Sequence, residues 1–264
     1  MGIQEKTARL NYRLDGPAGA PVIVFGPSLG TDLELFEPQA TALSGDFQIL
    51  RHDLRGHGES EVPDGPYTIG EMAEDVIGLL DELGIDRFSY VGVSIGGAIA
   101  QWLGIHHGHR LDALVICASA AQFYDPPSWP QRAAKVRSEG TEFLIESRYG
   151  AWFTPEWAER SPEGATRLLN MLRTTPREGY AGCCEAIAAY DLRDRLGEIA
   201  TPTLVIAGEE DPATPVATVS AVAEGIPGAE LLVVPGSSHL VNFEKPHVVS
   251  AAIAKHIGAV TINR

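Results

Sequence analysis

The chain has 264 residues, 44% of them hydrophobic and 21% charged, with a formal net charge of −15. That length suits one large α/β domain with an insertion and is short for two independent domains. An acidic balance without any basic stripe argues against nucleic acid and anionic membrane surfaces as partners. No apolar run approaches the roughly 18 residues of a membrane span, and the polar start does not read as a signal peptide. Three cysteines make no disulfide framework: Cys183 and Cys184 are adjacent and poorly placed to bridge, and Cys117 lies in a core-like strand. A reducing cytoplasm is the simplest home. No Cys/His spacing resembles a zinc site, and a homo-oligomer is left open.

Taken in chain order, a first strand is expected at 9–14 and a second at 22–25, running into the loop Gly26-Pro27-Ser28-Leu29-Gly30. A helix at 36–43 and a strand at 48–52 follow, then the turn Asp53-Leu54-Arg55-Gly56-His57-Gly58-Glu59-Ser60. In the helix expected at 69–83, Ile69, Met72, Ala73, Val76, Ile77, Leu80 and Leu83 follow a helical period, with acids on the opposite face. A strand at 88–93 leads through Val91-Gly92-Val93-Ser94-Ile95-Gly96-Gly97 into a helix at 95–106. This is the strand–turn–helix context of a Gly-x-Ser-x-Gly nucleophile elbow, in which glycines relieve crowding around an exposed serine.

After a strand at 113–117 the alternation breaks. Between Ala121 and Tyr190 strand-like runs vanish, and helical patterns, prolines and aromatics take over. We expect a helical cap at 121–190, inserted after the sixth strand, with the main fold resuming at Asp191, so that 1–120 and 191–264 form the core. Strands at 203–207 and 230–234 and helices at 216–224 and 246–256 complete the chain. The alternation implies an α/β fold with a mostly parallel sheet covered by helices on both faces.

An acyl-transferring serine needs a base, an orienting acid and donors for the oxyanion. Asp211, just past the strand at 203–207, is the acid candidate ahead of Glu209 and Glu210, because Asp-Pro-x-Thr-Pro is the stronger turn signal. His239 follows the last strand and completes the order Ser94, Asp211, His239, which is the α/β-hydrolase order. Of the other histidines, His106, His107 and His109 cap or solvate the end of the elbow helix. His247 and His256 read as helix surface, His52 ends a strand, and His57 reads as part of a structural turn. The oxyanion donors expected are the backbone N–H of Ile95 and one from the loop after the second strand. Pro27 has no N–H, so Ser28 is the first choice and Leu29 the second.

These residues resemble the 3-oxoadipate enol-lactonases of the β-ketoadipate pathway. The resemblance covers nearly the whole chain. It rests on Ser28-Leu29-Gly30-Thr31-Asp32, on Arg55-Gly56-His57-Gly58 followed by Gly65-Pro66-Tyr67-Thr68-Ile69, and on the elbow. The cap contributes Trp152-Phe153-Thr154-Pro155 and Thr174-Thr175-Pro176 through Gly179-Tyr180-Ala181-Gly182-Cys183-Cys184, the most specific of these stretches because caps set substrate choice. The tail adds Ala207-Gly208, Asp211-Pro212-Ala213-Thr214-Pro215 and His239-Leu240. The chain departs from the family at Pro27, where Asn is usual, and at Ile95, where Met is usual.

The resemblance implies hydrolysis of a small anionic lactone by Ser-His-Asp covalent catalysis, without a metal or organic cofactor. Its substrate carries a free carboxylate, which the cap cations Arg132, Lys135, Arg137 or Arg148 would receive. Arg132 is the first choice because it shares a helical face with Trp129. Trp129 and Trp152 are taken as its neighbours in substrate binding. A carboxylesterase, thioesterase or cofactor-free perhydrolase would share the triad and differ in cap and oxyanion loop. A binding protein that had lost turnover would be separated by an active-site acylation probe.

Overall fold

A computed structural model describes residues 7–261. Its sheet has seven strands in the order β1-β3-β2-β4-β5-β6-β7. They are β1 (Tyr12–Asp15), β2 (Val22–Gly26), β3 (Gln48–His52), β4 (Phe88–Val93), β5 (Leu111–Cys117), β6 (Thr203–Gly208) and β7 (Glu230–Val234). Only β1 runs antiparallel, against β3, and every other pairing is parallel. Parallel strands buried on both faces read as continuous apolar runs, and β4 and β6 are buried at every position.

The helices of the core are α1 (Glu37–Leu43), α2 (Ile69–Glu82), α3 (Ile95–His106), α8 (Val216–Gly225), α9 (Val241–Glu244) and α10 (Pro246–Thr261). They pack against the sheet in groups, α1 with α10 and α2 with α3. Helix α2 starts at a full capping box: Thr68 Oγ1 accepts from the Glu71 N–H at 3.1 Å, and the Thr68 N–H donates to Glu71 Oε2 at 2.7 Å. Among the described residues no helix is long and apolar enough to cross a membrane.

Four helices lie between β5 and β6: α4 (Ser128–Glu139), α5 (Pro155–Arg160), α6 (Pro162–Thr174) and α7 (Arg177–Ala189). The insertion thus follows the fifth strand of this sheet, one earlier than the position expected. Helices α4 and α7 pack closely on each other, and Phe153, Leu168 and Cys183 in this segment are fully buried.

Two further expectations change. The first strand begins at Tyr12 rather than at residue 9, because the backbone before it is engaged elsewhere. The Arg9 and Asn11 N–H groups donate to Glu61 Oε2 and Ser60 Oγ, while the Arg9 and Asn11 carbonyls accept from the Glu61 and Asp53 N–H groups. The acids of α2 are not all on its outer face. Asp75 is buried, with the Arg55 guanidinium at 2.6 and 2.8 Å and the Ala8 N–H at 2.7 Å. Burial works to raise the Asp75 carboxyl, and the shift is upward despite Arg55. A two-pronged guanidinium bond is what keeps a charge pair tolerable at this depth.

Candidate active site

The strand order reverses around β2, which lies between β3 and β4. Open α/β sheets bind ligands in the crevice beyond the carboxyl ends of the strands at such a switch point. The loop after β2 and the elbow after β4 both open into it.

Ser94 stands between β4 and α3 with φ 57° and ψ −115°. A non-glycine residue pays about 1–3 kcal/mol for a backbone of this kind, so the surroundings must hold it. The Ser94 N–H donates to the Cys117 carbonyl at 2.9 Å, and its own carbonyl accepts from Ala98 N–H at 3.0 Å and Ser119 Oγ at 2.8 Å. The flanking glycines are sterically required: a Cβ on Gly92 would lie 2.1 Å from the Gly96 carbonyl oxygen, and one on Gly96 would lie 2.1 Å from that of Gly26. Ile95 is the first residue of α3, so its N–H is one of the donors that a helix start leaves without an internal partner. The helix dipole places partial positive charge at the same point.

The loop after β2 is drawn tight by Thr31, whose N–H and Oγ1 both donate to the Ser28 carbonyl, at 3.1 and 2.8 Å. The Gly30 N–H donates to His57 Nε2 at 3.0 Å, and His57 Nδ1 lies 3.2 Å from the Arg55 carbonyl. His57 therefore works as a neutral imidazole bridging two loops, and burial lowers its pKa to about 4. Among the described residues this turn uses neither the Ser28 nor the Leu29 N–H. Both residues line the cavity that also holds Ser94 and His239, so the structure keeps both as oxyanion candidates.

His239 Nδ1 lies 2.8 Å from Asp211 Oδ2. Asp211 also accepts from Thr214 Oγ1 at 2.6 Å and from the Ala213 and Thr214 N–H groups at 2.7 and 3.0 Å. Burial works to raise its carboxyl, but His239 and the Thr214 bonds outweigh it and hold the group below its ordinary value of 3.8. The rival glutamates point outward: Glu209 and Glu210 are exposed, and Glu209 accepts from the Gly236 N–H.

The loop carrying His239 is fastened to the inserted segment. Its N–H and that of Leu240 donate to the Ala151 and Trp152 carbonyls, at 3.3 and 2.8 Å. Buried Glu244 accepts from the Ser238 N–H at 2.8 Å, from the Thr154 N–H at 3.2 Å and from Thr154 Oγ1. Thr214, Glu244 and Ser119 were not singled out in the sequence. Thr214 alone left a signal there, as part of Asp-Pro-x-Thr-Pro.

The cavity measures about 450 Å³, and Trp129, Arg132, Arg148, Trp152 and Tyr180 contribute to its wall. The Arg132 guanidinium lies 4.4 Å from the Trp129 ring centre. The other two candidate cations, Arg137 and Lys135, stand apart from the cavity: Arg137 is bound by Glu178 and Glu185 at 2.7 and 2.5 Å, and exposed Lys135 lies 4.1 Å over the Phe143 ring. Among the described residues no cluster of His, Cys, Asp or Glu could hold a metal ion.

Comparison with known proteins agrees with this geometry. The family model described as the alpha/beta hydrolase fold matches residues 21–246. The chain is 38% identical over 244 residues to 3-oxoadipate enol-lactonase 2 of Acinetobacter baylyi, covering 92% of this chain and 91% of that one. The crystal structure of the enol-lactonase from Burkholderia xenovorans LB400 superposes with a TM-score of 0.92 at 39% identity, covering 95% of this chain and 97% of that one. A malate-bound thermophilic esterase from Thermogutta terrifontis gives 0.91 at 29% identity, covering 96% and 94%. Identity at this level over nine-tenths of both chains places the protein in the α/β-hydrolase fold family, as a member of the 3-oxoadipate enol-lactonases.

Proposed function

We propose that this protein opens β-ketoadipate enol-lactone to 3-oxoadipate in aromatic-compound catabolism. Ser94 attacks the lactone carbonyl while His239, oriented by Asp211, takes its proton. The oxyanion rests on the N–H of Ile95 and on that of Ser28 or Leu29. The tetrahedral intermediate collapses by expelling an enol, which is more acidic than an alcohol and leaves more easily, then tautomerises to the ketone. Water activated by His239 cleaves the acyl-enzyme.

Residues 121–190 act as the cap that closes over the lactone, with Trp129 and Trp152 as apolar walls and Arg132 on the free carboxylate. The three buried, unpaired cysteines support a reducing, cytoplasmic setting.

The observation that carries this reading is that Ser94, His239 and two cap arginines share one cavity in a chain of net charge −15. An anionic substrate in so acidic a protein needs dedicated cations at the site. The test is spectrophotometric, following enol-lactone loss beside p-nitrophenyl acetate. A kcat/KM for the enol-lactone about 10²-fold or more above that for the acetate is expected. Failure to consume the enol-lactone while the acetate turns over would overturn the assignment and leave a general esterase.

A further inference from the structure

Among the described residues no carboxylate pairs with the Arg148 guanidinium. Arg148 closes a short 3₁₀ turn, Glu146–Arg148, and its guanidinium lies 5.6 Å from the Trp152 ring centre. It donates to Ser147 Oγ at 3.0 Å, while among the described residues its buried Nε has no hydrogen-bond partner. Among the described residues neither Arg148 nor Arg132 pairs with a carboxylate, whereas Arg137 and Arg173 of the same segment do. Both unpaired arginines line the cavity of Ser94.

An uncompensated cation with a desolvated donor is costly unless a ligand completes it. Burial, together with the like charge of Arg132, lowers the Arg148 pKa, Tyr180 acting in the opposite sense. A carboxylate between the two guanidinium groups would relieve the repulsion. Planar forks of this type grip a carboxylate through paired N–H bonds.

We propose that Arg148 and Arg132 together form a carboxylate clamp, and that the clamp makes acyclic half-esters of short dicarboxylic acids substrates of the same serine. The proposal rests on the reading of Ser94 as nucleophile and extends its substrates beyond the ring. The clamp reads a charge at a distance from the ester and makes no demand on cyclisation. Ser94 Oγ bonds to the ester carbon as its proton passes to His239. The alcohol departs with that proton. Water then supplies hydroxide to the carbon and returns a proton to Ser94, so that alcohol and dicarboxylate are the products.

The matched pair mono-p-nitrophenyl adipate and p-nitrophenyl hexanoate tests this, since they share leaving group and chain length. An apolar cavity without a clamp would favour the hexanoate. The expected ratio of kcat/KM, charged over neutral, is about 10- to 100-fold in the intact protein. R148Q should cut the ratio about tenfold or more, and R148K should keep part of it because an ammonium retains charge but not the fork. A ratio near one in the intact protein, or a ratio unchanged in R148Q, overturns the clamp. Competition needs no variant: adipate should inhibit more strongly than hexanoate, and equal inhibition also overturns it. Enol-lactone turnover is measured alongside. Turnover of the lactone without half-ester preference sinks the clamp and spares the proposed function; half-ester preference without lactone turnover does the reverse.

Discussion

Replacing Asp211 with Asn tests the acid of the triad with little change of shape. Its Oδ1 accepts from two backbone N–H groups, of Ala213 and Thr214, which cannot turn away. The carboxamide oxygen must therefore occupy that position, leaving the amide nitrogen to face Thr214 Oγ1 and His239 Nδ1, where Oδ2 now stands at 2.6 and 2.8 Å. The Thr214 hydroxyl can rotate to accept. The imidazole can accept only by giving up its Nδ1 proton, and the tautomer that results carries hydrogen on Nε2, where it cannot take a proton from Ser94. A loss of about 10⁴ in kcat is expected, equivalent to about 5.5 kcal/mol.

The stability consequence has a definite sign. The folded Asp211 carboxyl lies below its ordinary value of 3.8, so the stability it contributes is present above that pH and is lost as pH falls through the folded value. The Tm difference between D211N and the parent should accordingly narrow below about pH 3.8. Steady-state kinetics on enol-lactone and p-nitrophenyl acetate, with Tm by circular dichroism, provide the assay. Exposed Glu209 and Glu210 serve as controls, and E209Q and E210Q should be nearly silent. Retention of kcat within tenfold in D211N, or a crippled E209Q or E210Q, would refute the assignment.

Ser94→Ala should fold normally and lose roughly 10⁴–10⁶ in kcat; more than a few per cent residual activity in a purified sample would remove the covalent mechanism. Arg132→Leu should lower the enol-lactone to p-nitrophenyl acetate ratio of kcat/KM by roughly 10²-fold, and equal losses on both substrates would mean that Arg132 holds the cap instead. His57→Leu removes the acceptor of the Gly30 N–H and should lower kcat by about 10- to 100-fold, the range seen for lost positioning and supporting bonds. His57→Gln, which keeps an acceptor, should recover part of that loss, and no difference between the two would exclude the bridging role. Because burial lowers the folded His57 pKa from 6.5 to about 4, its contribution is complete above pH 6.5 and is lost as pH falls toward 4, about 3 kcal/mol in all. The fall in Tm across that window should be shallower in His57→Gln than in the parent, and parallel curves would refute it.

Much of this protein is legible in one dimension because its governing forces are local or periodic. The elbow is one example, since only glycine at Gly92 and Gly96 lets a strand turn into a helix over an exposed serine. The apolar runs that became β4 and β6 are another, because a strand buried on both faces has no polar side to hide. Chain order then set Asp211 and His239 beyond strand ends, where a parallel sheet gathers its loops. What the tertiary structure alone decided are pairings across long stretches of chain. His57 receives the Gly30 N–H, Glu244 binds Thr154, and Asp75 takes Arg55 into the core. The four cap cations considered for the carboxylate, Arg132, Lys135, Arg137 and Arg148, look equivalent in sequence, since each is a basic residue among acids. Packing separated them by placing Glu178 and Glu185 against Arg137 and, among the described residues, no carboxylate against Arg132 or Arg148. A side chain's charge is written in the sequence, but whether that charge is already neutralised depends on which distant residues the fold brings beside it.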